Sequence, residues 1–132
     1  MLGDVLGELS GKRIVRRVLS ADPTKVEISF EEAGQMLGVA TNSFGTYTSM
    51  IRPDGSLYGE GVGVMISREG DMVSWVGSGQ GKFTPGGGVS YRGILYFQTT
   101  SQKLARLNAA PGVFEYEVDG EGKSHTKTWE WK

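Results

Sequence analysis

Two runs of alternating glycine, Gly59, Gly61, Gly63 and then Gly77, Gly79, Gly81, restrict this chain more than any other feature. Alternation at period two belongs to extended backbone, where every second residue shares a face. Glycine inside a strand costs roughly 0.5–1 kcal/mol relative to alanine, so such rows imply a compensating geometry. Closing a sheet into a barrel supplies one, because inward-facing glycines allow sharp coiling and leave room for rings from neighbouring strands. The other compensation is functional: missing side chains leave a cavity or let a ligand approach the backbone.

Turn signals at Pro53-Asp54-Gly55, Glu69-Gly70-Asp71, Thr84-Pro85-Gly86-Gly87-Gly88 and Asp119-Gly120-Glu121-Gly122 separate the runs. A three-residue loop at 69–71 pairs Gly63 with Gly77, Gly61 with Gly79 and Gly59 with Gly81. The same loop length at 53–55 pairs Gly45 with Gly63 and Tyr47 with Gly61, and a five-residue loop at 84–88 pairs Gly93 with Gly79. Eight strand candidates follow, near 12–20, 25–33, 36–51, 57–68, 72–83, 89–100, 112–118 and 123–131. Ser101 to Asn108 reads as a short helical turn, with Ser101 as cap and Leu104 and Leu107 facing the core. Residues 1–10 read as a frayed or helical lead-in. The expected fold is all-β, one closed or nearly closed antiparallel barrel of about eight strands, forming a single domain over 1–132.

Composition narrows the chemistry. The chain has no cysteine and one histidine, His125, which excludes thiolate catalysis, iron–sulfur clusters and multi-histidine metal sites. Lys plus Arg number 14 against 15 Asp plus Glu, so the net charge of −1 disfavours nucleic acid and anionic membranes. No apolar run is long enough for a membrane helix, and the first residues lack a secretory pattern, so the expected location is cytoplasmic. Gly79-Gln80-Gly81-Lys82-Phe83 fails as a phosphate loop, because Val76 and Phe83 stand where glycine and Ser/Thr are needed. No cofactor or metal is implied.

The glycine face also carries Tyr47, Ile51, Leu57, Met65, Val73, Trp75, Phe83, Tyr91, Leu95 and Phe97, which marks it as the interior. Tyr47, Trp75 and Tyr91 are the candidate ligand-binding residues. The opposite face aligns Thr48, Glu60, Gln80 and Arg92 in one lateral row, read as an exposed cross-strand ladder. Were that row internal instead, Glu60 becomes a general acid or base and Arg92 an anchor for an anionic or carbonyl group. His125 reads as a surface or rim residue. The segment Lys12 to Leu19, with its four cations, reads as a solvated or oligomer-facing edge, the alternative being a patch for phosphate or an acidic partner. Large apolar residues on both faces of several strands predict a homo-oligomer.

Glu60-Gly61, the Trp75 strand, Tyr91-Arg92-Gly93, Leu104-Ala105-Arg106-Leu107-Asn108, Gly112-Val113-Phe114-Glu115 and Trp129-Glu130-Trp131 together resemble a family of small uncharacterised microbial proteins, over roughly residues 34–132. That family's architecture is similar to allene-oxide-cyclase-like and calycin-like barrels, whose members bind or rearrange apolar small molecules. The resemblance implies a barrel and carries no catalytic motif onto positions here. Three functions stay open: a barrel binding a small apolar or aromatic molecule, a cofactor-independent isomerase or cyclase, and a structural module without ligand. Whether the interior is filled or hollow separates the last from the other two.

Overall fold

The computed structural model describes residues 2–132. Eight strands run in chain order, β1 (Leu2–Ala21), β2 (Thr24–Met36), β3 (Val39–Ile51), β4 (Leu57–Ser67), β5 (Met72–Thr84), β6 (Gly88–Thr99), β7 (Gly112–Val118) and β8 (Lys123–Trp131). Each pairs antiparallel with the next, and β8 pairs with β1, closing the barrel. The turns at 37–38 and 68–70, the 100–111 connection and both chain ends therefore share one end of the barrel. The tips at 22–23, 53–55, 85–87 and 119–122 share the other. Among the described residues no helix is long and apolar enough to cross a membrane.

Period-two patterning forms these strands. In β2, Ile28, Phe30 and Glu32 are buried while Ser29 and Glu31 are only partly so. The glycine face is the interior: Leu57, Met65, Val73, Trp75, Tyr91, Leu95 and Phe97 are all buried, and Tyr47 and Ile51 pack against them. Phe83 is the exception, 56% exposed, because β5 by then runs past the packed interior into the Gly86–Gly87 tip. The outer face carries an apolar stripe, Phe44, Val62, Val76 and Tyr96, with Val62 opposite Val76 and Val76 opposite Tyr96.

Turn chemistry sets most registers. Arg52 N–H donates to the Ser56 carbonyl at 2.8 Å around Pro53-Asp54-Gly55, so Gly45 faces Gly63 and Tyr47 faces Gly61 as expected. Gly79 likewise faces Gly93. The β4–β5 pairing differs by two residues from the expectation: Gly61 faces Gly77, Gly59 faces Gly79 and Gly63 faces Trp75. The loop is 68–70 rather than 69–71, because the Ser67 hydroxyl donates to the Asp71 carboxylate and accepts from Asp71 N–H, both at 2.9 Å. A slip of two keeps every side chain on its face but breaks the expected polar row at one link, since Glu60 faces Ser78 rather than Gln80, while Gln80 faces Arg92 as expected.

Two further expectations are corrected. Residues 2–10 are neither frayed nor helical but the first half of β1, paired with β8 through Leu9–Thr126 and Gly7–Thr128. A register shift between Val5 and Gly7 places Leu6 and Leu9 both inside, a spacing of three that imitates a helical stripe. The candidate 36–51 is divided by a two-residue turn, Leu37 at φ 51 and Gly38 at φ 77, the left-handed pair that matches hairpin twist. Beyond Lys12, β1 loses β8 as a partner and continues with β2 alone, Arg17 meeting Glu27 at 3.4 Å.

The expected helical turn is a 3-10 turn over Ala105–Asn108, with Leu104 and Leu107 each 1% exposed. Both join Leu6 and Met36 in the core cluster at the end of the barrel that holds the 37–38 turn. Ser101 caps the preceding turn, accepting from Leu104 N–H at 3.3 Å, and not the 3-10 turn itself.

Candidate ligand cavity

Glycine placement explains why the middle of the barrel is aromatic. The Trp75 indole crosses Gly63 and Gly45, and a Cβ at Gly45 would stand 2.7 Å from Trp75 Cζ2 and 2.7 Å from Phe30 Cε1. Side chains at these positions would occupy the space the rings need. Phe30, Tyr47, Tyr91 and Tyr116 then meet in one array, with ring centroids 5.4 Å apart for Phe30–Tyr116, 5.7 Å for Tyr47–Tyr116 and 5.9 Å for Tyr47–Tyr91. The tilted and edge-on geometries are those that ring quadrupoles favour.

A cavity of about 70 Å³ lies among these rings, walled by Phe30, Glu32, Tyr47, Trp75, Tyr91 and Tyr116. That is about half the roughly 150 Å³ of an apolar cavity that admits a benzene ring, so a small ring enters only as the surrounding side chains shift, and nothing of drug size fits.

Its polar groups are few. The Glu32 carboxyl, 4% exposed, accepts from the Thr126 hydroxyl at 2.7 Å and the Ser124 hydroxyl at 2.8 Å, both on β8. Burial outweighs these two bonds and raises its pKa above the ordinary carboxylate value. Tyr47 donates to the Tyr116 oxygen over a long 3.4 Å, while Tyr91 and Ser49 share a hydroxyl–hydroxyl bond. Burial pushes the Tyr47 phenol up to about 12, and those of Tyr116 and Tyr91 upward as well. All three are neutral donors at physiological pH. The Trp75 indole N–H is buried with no acceptor among the described residues.

The structure therefore brings Tyr47, Trp75 and Tyr91 together around one cavity. Arg92 is not among its lining residues, whereas Glu60, between Gly59 and Gly61, is. Glu60 is exposed on the outer face, and Arg92 lies outside with its guanidinium 2.9 Å from Glu117 and 3.5 Å from Glu115. His125 is on the outer face at the closure, its Nε2 2.8 Å from Glu8, a residue 117 positions away. Sequence reasoning missed Glu32, Phe30 and Tyr116 as cavity residues. The signal for Glu32 was its parity with Val26, Ile28 and Phe30 on β2, which sets it on the inner face despite its charge.

No family model matches this chain, and neither does any curated protein. Solved structures do. A protein of unknown function from Clostridium acetobutylicum superposes with a TM-score of 0.84 at 12% identity, covering 98% of each chain. A beta-barrel like protein from Acinetobacter baumannii gives 0.78 at 13% identity, covering 98% of this chain and 94% of that one. An enzyme from Penicillium herquei gives 0.67 at 12%, covering 98% and 96%. At such identities the likeness extends to the fold alone, and the chain is a small β-barrel protein sharing its architecture with these structures.

Proposed function

We propose that the barrel binds a small, largely apolar ring compound in its central cavity. The observation that carries this reading is the unfilled space among Phe30, Tyr47, Trp75, Tyr91 and Tyr116; the buried N–H of Trp75, one of these lining residues, has no acceptor among the described residues. A buried unpaired donor costs on the order of 1–3 kcal/mol, and a ligand oxygen bonded to it recovers part of that. The apolar lining supplies affinity and the few hydroxyls supply orientation, the usual division of labour in small-molecule sites. The resemblance to allene-oxide-cyclase-like and calycin-like barrels accords with such a use of the interior.

Native mass spectrometry of freshly purified protein, followed by titration with phenol and with cyclopentanone under intrinsic fluorescence, tests the proposal. Saturable binding of either compound, weakened in Trp75→Phe, supports it. Absence of saturable binding by both refutes it.

A further inference from the structure

We propose that the cavity is a proton-transfer site for enolisable carbonyl compounds, with Glu32 as the base and Tyr116 as the donor to the carbonyl oxygen. This rests on the cavity being a small-molecule site and adds a reaction to it. The argument begins with counting hydrogen-bond capacity. Tyr116 accepts from Tyr47 and donates to nothing among the described residues, and Trp75 N–H also donates to nothing. Two unspent donors in an apolar box suit a ligand that presents an acceptor, such as a carbonyl oxygen, and suit it better as charge gathers there.

On the other side stands a single carboxyl. Glu32 shares the inner face of β2 with Phe30, and Phe30 packs on Tyr116 at 5.4 Å between centroids. Thr126, which donates to Glu32, sits directly opposite Tyr116 in the β7–β8 ladder. Glu32 and Tyr116 are thus linked through one threonine and flank the same space, with Thr126 and Ser124 fixing the carboxyl's orientation. A carboxylate in an apolar site, whose pKa burial raises above the ordinary carboxylate value, is a stronger base than a solvated one.

The chemistry balances without any added reagent. The Glu32 carboxylate takes a proton from the carbon beside the carbonyl. The C–H electron pair becomes the new C=C bond, and the carbonyl π pair moves onto oxygen, where the Tyr116 O–H and Trp75 N–H hold it. Glu32 then returns the proton to the same carbon, giving exchange, or to the far end of a conjugated system, giving a shifted double bond.

The test uses cyclopentanone in D₂O with the full chain, following deuterium incorporation beside the carbonyl by NMR, while fluorescence titration reports binding separately. Wild type is expected to exchange well above the buffer rate. Glu32→Gln, which keeps the shape and one accepted hydroxyl bond, the other reversing so that the amide N–H donates, is expected to lose about 10²–10⁴-fold, the usual contribution of a positioned base. Tyr116→Phe is expected to lose about 10²–10³-fold, as for removal of one oxyanion donor. Both variants are expected to retain cyclopentanone binding. Binding with exchange at the buffer rate, or variants as fast as wild type, overturns the proton-transfer role and leaves the binding reading intact. Failure to bind either cyclopentanone or phenol overturns both.

Discussion

Gly45 is the position where the fit of rings to glycines is most directly measurable. A methyl group there would lie 2.7 Å from Trp75 Cζ2 and 2.7 and 2.8 Å from Phe30 Cε1 and Cζ. Carbon contacts are comfortable at about 3.5–4.0 Å, so each ring must retreat by roughly 0.8 Å or more. Any retreat of Phe30 disturbs its ring contacts with Tyr47 and Tyr116, at centroid distances of 5.9 and 5.4 Å. Gly45→Ala should therefore destabilise by about 1–3 kcal/mol through overpacking, although alanine is otherwise better than glycine in a strand by roughly 0.5–1 kcal/mol. Trp75→Ala should cost about 3–5 kcal/mol, the range for truncating a buried tryptophan. Combining them removes the indole, lets Phe30 slide into the vacated space, and should make the added methyl neutral or slightly stabilising. The expected coupling is about 1.5–3 kcal/mol, read from urea midpoints of wild type, both single variants and the double, with m-values compared to confirm two-state unfolding. Additivity within about 0.5 kcal/mol would falsify the account of why this strand carries glycine.

Glu60→Gln, on the exposed outer face, should leave the urea midpoint and phenol affinity unchanged, within about 0.5 kcal/mol; a larger loss would place that carboxyl inside. For Glu32 the fold favours the protonated form. Its contribution is therefore fully present below the ordinary carboxylate pKa and declines as pH rises through the elevated folded value. Stability of Glu32→Gln relative to wild type should then improve from acid toward neutral pH, and a flat or opposite trend in paired denaturation curves refutes the burial argument. The outer stripe of Phe44, Val62, Val76 and Tyr96 is expected to drive self-association, which sedimentation checks; a strict monomer at high concentration counts against it.

Much of this barrel was legible in alternation alone, since a strand with one wet face writes its period into the chain, as Val26 to Glu31 and Phe114 to Asp119 do. Registers were legible wherever backbone and loop length decided them, as around Gly55. They slipped where a side chain decided, as when Ser67 and Asp71 moved the three-residue β4–β5 loop back by one position. The first half of β1 was hidden because its bulge imitates another periodicity, and because its pairing partner lies at the far end of the chain. Of the cavity's aromatic wall, Tyr47, Trp75 and Tyr91 were readable from the glycine rows, and Phe30 and Tyr116 were not. The cavity's carboxyl was overlooked because charge suggests an outward position, whereas parity on β2 gave the opposite answer. Glu8 beside His125 is a product of closure and has no local signature.

Closure also sets the order in which this molecule can assemble. Seven of the eight pairings join neighbours in sequence and can zip from their turns, whereas the β1–β8 seam brings together residues such as Glu8 and His125, 117 positions apart. Closing a flexible loop of that length costs about 4 kcal/mol in chain entropy, against about 1 kcal/mol for a four-residue turn. The seam should therefore form last, after the meander has curled enough to bring its edges together. A lesion there, such as Leu9→Ala, would leave the refolding rate nearly untouched and express itself as faster unfolding. The barrel's persistence in time is then governed by one ladder out of eight, and transient opening along that ladder would expose the ring-lined interior without unravelling the hairpins.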